Sequence, residues 1–161
     1  MFFKSLRDAK LYLDELHKFR LVDFCDGKRT ELEKILVKLF DCLDLTLSKN
    51  HFVTNTKTLR FLLPQLFIPM DRTYTVNYFT EYKGYDIPKV ITTQVKWLVS
   101  MHKELAELYK IKIELYDKLS SEVNLPITKL LDNTLIGFAM YREVYIRFFH
   151  LISTYNQVKT M

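Results

Sequence analysis

Between Ile91 and Leu119 the chain repeats an apolar side chain at steps of three and four for 29 residues: Ile91, Val95, Leu98, Met101, Leu105, Leu108, Ile111, Leu115 and Leu119. No strand can use that spacing, because a strand alternates every second residue, whereas a helix places such positions on one face. Pro88 suits the first turn of such a helix, and Asn124-Leu125-Pro126 stops it. The spacing therefore predicts one long helix over about 88–119, with Lys and Glu on its other face. A stripe of this length fits an antiparallel neighbour inside a bundle or a helix–helix interface between chains.

The rest of the chain carries the same period. Leu6, Ala9, Leu13 and Leu16, with Tyr12 and Phe19, form one stripe, and Ser5 with Asp8 reads as its N-terminus. Thr30 and Glu33 have capping-box spacing ahead of Leu32, Ile35, Leu36, Leu39, Phe40 and Leu43. Residues 46–55 have neither period and read as a loop, with Phe52-Val53-Thr54 as a possible extended piece. A short helix is expected from Thr56 to Leu63, ended by Pro64. Another, capped by Asp71 or Thr73, should run through Val76 and Phe79 toward Gly84. Ile127 to about Tyr155 is apolar over more of its circumference, the pattern of a central core helix, and Gly137 within it marks close packing or a kink. The expected fold is all-α: a single domain over 1–161, five to seven helices in an orthogonal or irregular bundle.

Composition removes several chemistries. The three glycines, Gly27, Gly84 and Gly137, are too far apart to share a loop. That excludes the P-loop, the dinucleotide fingerprint and the nucleophile elbow, which all need clustered glycines. His17, His51, His102 and His150 have no partners at ligand spacing, so no metal or cofactor is expected. Cys25 and Cys42 form no C-x-x-C pair and read as small apolar residues. The start, MFFKSLRD, has no apolar core of a secretory signal, and no run reaches the ~18–20 apolar residues of a membrane span. The expectation is a cytoplasmic protein without a membrane partner.

Thr46 to Thr80 is the segment that stands apart. It holds Lys49, Lys57, Arg60 and Arg72 against one acid, Asp71, a local balance of +3 within a net charge of +5. Cations interleaved with rings such as Phe61 and Tyr74 suit phosphate contact and base stacking. Lys49, Lys57, Arg60, Arg72 and Tyr74 are therefore the candidate nucleic-acid-binding residues. Asp132-Asn133, two poor helix formers inside an apolar helix, are the candidates for a supporting polar network that reaches Lys57, Arg60 or Arg72.

The run Thr56-Lys57-Thr58-Leu59-Arg60-Phe61-Leu62-Leu63-Pro64, continued by Pro69-Met70-Asp71-Arg72-Thr73-Tyr74-Thr75, resembles a family of small helical proteins of unassigned activity. That family reads S-K-x-x-H-F-L-L-P, then P-I-D-R-x-Y-T. Leu125-Pro126-Ile127-Thr128-Lys129-Leu130-Leu131-Asp132-Asn133 resembles its later I-P-K-x-x-D-N block. Arg60 stands where the family has His. More distantly, a lysine on one helix and an aspartate opening the next is similar to the helix-hairpin-helix DNA glycosylases. That resemblance implies catalytic roles for Lys57, as Schiff-base nucleophile, and for Asp71, as charge stabiliser. The glycine-rich turn that precedes the lysine in that superfamily is absent here.

Two functional readings stay open at this point. One is a nucleic-acid-associated helical module, without catalysis. The other is an interaction or assembly protein, a homodimer or a protein-partner binder, that uses the 88–119 helix.

Overall fold

The computed structural model describes residues 2–43, 45, 51–79 and 87–159, with side chains for all of these except Phe2, Phe3, Arg72, Asn77 and 148–159. The fold is all-α, and no strand occurs among the described residues. Helices α1 (Phe2–Asp8) and α2 (Lys10–Leu16) follow each other almost without interruption, then a 3₁₀ turn spans Leu21–Phe24. Next come α3 (Arg29–Cys42) and α4 (Phe52–Leu62). A single π-type turn over Arg72–Val76 runs into the short α5 (Asn77–Phe79). The chain ends with α6 (Ile91–Ile111), α7 (Ile113–Val123) and α8 (Ile127–Lys159).

One apolar cluster extends from Ala9 to Leu135 and draws on nearly every element. Its axis is α6, which buries Val95, Leu98, Val99, Met101, His102, Leu105 and Ala106 and packs against the 3₁₀ turn and α3. The long stripe therefore faces the protein's own core over α6. The single helix expected over 88–119 is two helices, broken at Lys112, whose φ of −127° and ψ of 35° leave the helical region. Beyond the break the stripe loses its cover: Ile111, Leu115 and Leu119 are exposed. Asn124 stops α7 in the left-handed conformation, φ 51° and ψ 47°, a common role for Asn after a helix.

Several local expectations are corrected. Phe52-Val53-Thr54 is the first turn of α4, not an extended piece, because Phe52 is drawn fully into the core. Helix α6 starts at Ile91, leaving Pro88 outside, where its carbonyl accepts a 2.6 Å hydrogen bond from Gln94 Nε2. The Thr30–Glu33 box does not form, since α3 already begins at Arg29. Ser5 lies inside α1 and donates from Oγ to the Cys42 carbonyl at 2.7 Å, tying α1 to the end of α3. Both cysteines are free and half-buried. The expected stop near Gly84 lies outside the described residues.

The largest correction concerns α8. It is not the central helix. Among the described side chains of α8, the fully covered ones are Thr128, Leu131, Asp132 and Leu135, all within the first nine residues. Gly137 has open space around it and marks no close packing. From Phe138 to Ile146 the large apolar side chains are about half exposed or more, with Phe138 still packed edge-on against Tyr78.

Candidate functional site

The residues around Lys57 and Asp71 are held by a short chain that wraps from α4 to the π-type turn. Leu63, Leu66, Phe67, Ile68 and Met70 are all buried, so residues 63–70 act as a core segment despite lacking regular structure. Buried backbone groups need partners; Leu63, Leu66 and Phe67 donate to backbone carbonyls, and beyond them the segment turns to side chains. The Ile68 N–H donates to His102 Nε2 at 3.0 Å, and the Met70 N–H donates to Thr56 Oγ1 at 3.3 Å. His102 Nδ1 contacts the Leu98 carbonyl at 2.9 Å. A ring that accepts at Nε2 must be neutral with its proton on Nδ1. Burial pushes its pKa down to about 4, against a partial rise from the Leu98 carbonyl. Phe24 and Phe67 pack on the same ring.

Asp71 emerges from this segment at the head of the π-type turn. Its Oδ1 accepts the N–H groups of Thr73 (2.8 Å) and Tyr74 (3.2 Å), and its carbonyl accepts the Val76 N–H five residues on (2.8 Å). Its Oδ2 faces Lys57 Nζ at 3.2 Å. Partial burial works against ionisation here, but Lys57 and the two N–H donors outweigh it and hold the carboxyl below its usual range. Half of the Lys57 side-chain surface is exposed. The ion pair joins α4 to the turn.

Lys57 and Arg60 come to one pocket. Together with Phe61, Pro69 and Lys129 they line an open pocket of about 250 Å³. Tyr74 does not join them. It lines a second hollow of about 430 Å³ with Thr73 and α8 residues that include Ala139, Arg142 and Ile146. Lys49 and the Arg72 side chain lie outside the described residues.

The polar pair on α8 divides. Asp132 is buried and takes its charge partner from its own helix, Lys129 Nζ at 2.7 Å, not from Lys57 or Arg60. Asn133, one residue on, turns outward and is exposed. Lys129 thus bridges the buried carboxylate to the pocket, a role sequence reasoning missed. Its position inside the Leu125–Asn133 block was the available signal. The first turn of α8 is fixed over the pocket because Thr128 Oγ1 donates to the Pro64 carbonyl. Among the described residues no group of three His, Cys, Asp or Glu is placed to hold a metal ion.

A second surface lies farther along α8, next to the π-type turn. Phe138, Met140, Tyr141, Val144, Tyr145 and Ile146 are each about half exposed or more, with Tyr141 at 69 % and Val144 at 67 %. At about 100° per residue, Ile146 and Met140 lie about 80° and 200° round the helix from Phe138. The apolar groups therefore surround α8 and do not form a stripe. Ile111, Ile113, Leu115 and Val123 on and beside α7 are exposed too. No helix among the described residues is long and apolar enough to cross a membrane. Compared with family models, with curated proteins and with solved structures, the chain finds no match.

Proposed function

We propose that this protein is a non-catalytic assembly protein that associates with further copies of itself through residues 138–146 of α8. The observation that carries the reading is the apolar surface of residues 138–146, which goes all round the helix. A helix apolar around its circumference is normally enclosed, and here residues 138–146, met on one side by Tyr78, leave six large apolar side chains about half exposed or more. The expectation of an interface on the 88–119 helix moves accordingly, since α6 spends that stripe on the core.

Area supports a second copy as the occupant. With about 150–250 Å² per aromatic side chain, the exposed parts of Phe138, Tyr141 and Tyr145 plus three aliphatic or thioether neighbours present on the order of 600 Å². Two copies paired through this surface would bury about 1,200 Å², the lower edge of a standard interface. Charge does not oppose the pairing, because Glu143 and Arg147 neutralise each other at 2.5 Å along the same helix.

Sedimentation velocity over ~1–50 µM protein, a range that covers ordinary oligomer affinities, tests the reading. The expected result is a dimer or larger species that Tyr141→Glu combined with Val144→Glu converts to a monomer of unchanged helicity. A wild-type chain that stays monomeric through this range overturns it.

A further inference from the structure

The pocket between α4 and the start of α8 holds an imbalance of charge that the fold does not resolve. Three cations line it, and two of them are paired: Lys57 with Asp71 at 3.2 Å and Lys129 with Asp132 at 2.7 Å. Arg60 is the third. Its Nε is buried without a hydrogen-bond partner, and it forms no ion pair among the described residues. An unsatisfied buried donor on a charged group is costly to leave unmade, and Arg60 is one of the residues that line the open pocket. Each ammonium also keeps donors in reserve, since its carboxylate occupies one of three.

The surplus is one positive charge. A phosphodiester carries one negative charge, whereas a terminal phosphate carries about −1.5 to −2 at neutral pH. The volume, about 250 Å³, is below the ~300–1,000 Å³ of sites that enclose a whole small molecule. It suits one phosphate with its adjoining sugar. At the rim stands Phe61, 82 % exposed, a ring whose face is open to a base. Bases inside a duplex are already stacked on each other, so such a ring serves an unpaired one.

From this geometry we infer that the pocket binds one backbone phosphate of a single-stranded nucleic acid between Lys57, Arg60 and Lys129, with the neighbouring base stacked on Phe61. The site narrows the basic-stretch expectation to one pocket and adds Lys129 from α8. It is independent of the association surface, which lies farther along α8.

Fluorescence anisotropy on the full chain tests it, with a labelled oligothymidylate of about twelve nucleotides, an abasic sugar-phosphate chain of the same length, a blunt duplex, and adenosine monophosphate as competitor. The oligothymidylate should bind more tightly than the duplex, and affinity should fall steeply between ~50 and ~200 mM salt. Phe61→Ala, at a position too exposed to matter for folding, should weaken oligothymidylate binding about tenfold and leave the abasic chain unchanged. Arg60→Gln should weaken both chains alike and flatten the salt dependence by about 0.7 of a unit in slope. Lys118→Gln, on α7 outside the pocket, should behave as wild type. The proposal is overturned by wild type that binds neither chain at ~50 mM salt, by Phe61→Ala that binds oligothymidylate as wild type does, or by Lys118→Gln that matches Arg60→Gln. Adenosine monophosphate that competes as well as the strand would move the site to free nucleotides and overturn the strand as its ligand.

Discussion

Helices α6 and α8 are the two longest in the protein, and their sequences advertise the opposite of what they do. Helix α6 is amphipathic, with a stripe that would serve an interface between chains, yet it is the axis of the core. Helix α8 is apolar over much of its surface, the pattern of a central helix, yet its buried side chains among those described lie in its first nine residues and most of 138–146 stands exposed. Apolarity states how much cover a helix needs; its neighbours decide how much it receives. For α6 the 3₁₀ turn and α3 supply that cover. For residues 138–146 of α8, another copy is the proposed cover.

Truncation should separate the two helices first. Leu98→Ala, at a fully buried site on α6, should cost about 2–5 kcal/mol through lost burial and a cavity. Val144→Ala should stay within about 0.5 kcal/mol of wild type for the isolated chain. Urea unfolding at low protein concentration reads both, and comparable losses would erase the contrast.

A slightly smaller effect is expected at His102, where α6 holds the 63–70 segment. His102→Ala strands the Ile68 N–H and should cost about 3 kcal/mol. The wild-type pH dependence follows from the lowered pKa. A histidine kept neutral by the fold stabilises fully above the unfolded value of 6.5, and that stability is lost as pH falls toward about 4. Over that window up to about 3 kcal/mol should disappear, and His102→Ala should flatten this limb of a stability-against-pH curve.

Where α8 is still covered, charge matters. Lys129→Met leaves the Asp132 carboxylate buried without its partner and should cost about 1–3 kcal/mol by thermal unfolding. The same change among the exposed lysines of α7, Lys118→Met, should cost almost nothing. The smallest effect is expected at Asp71. Asp71→Asn keeps an oxygen for the Thr73 and Tyr74 N–H groups and loses only a half-exposed ion pair, worth about 0–1 kcal/mol. Because the carboxyl is lowered, that contribution is present at neutral pH and vanishes as acid protonates it; an acid titration of wild type against Asp71→Asn should converge below the carboxylate range.

Helix existence was legible in the chain because a three-and-four spacing and its stops are local properties. Pro64 closes α4, and Asn124 closes α7, where the residues said they would. Which surface each stripe meets was not legible, because that depends on elements distant in sequence. The break at Lys112 was hidden for the same reason: the apolar spacing continues through it without a gap. At the site, Lys57, Arg60 and Asp71 were visible as a cluster of charge. Lys129 was not, since only the fold of α8 over Pro64 carries it to α4. His102 read as an isolated histidine because its two hydrogen-bond partners are backbone groups, which leave no mark in sequence.

Amide hydrogen exchange, read peptide by peptide at ~1 and ~50 µM, compares the two helices within one sample. Amides of Val95–Leu105 should exchange slowly at both concentrations. Those of Phe138–Ile146 should exchange faster in the dilute sample and gain protection in the concentrated one. Protection of Phe138–Ile146 that is unaffected by concentration would contradict the claim that another copy covers residues 138–146 of α8.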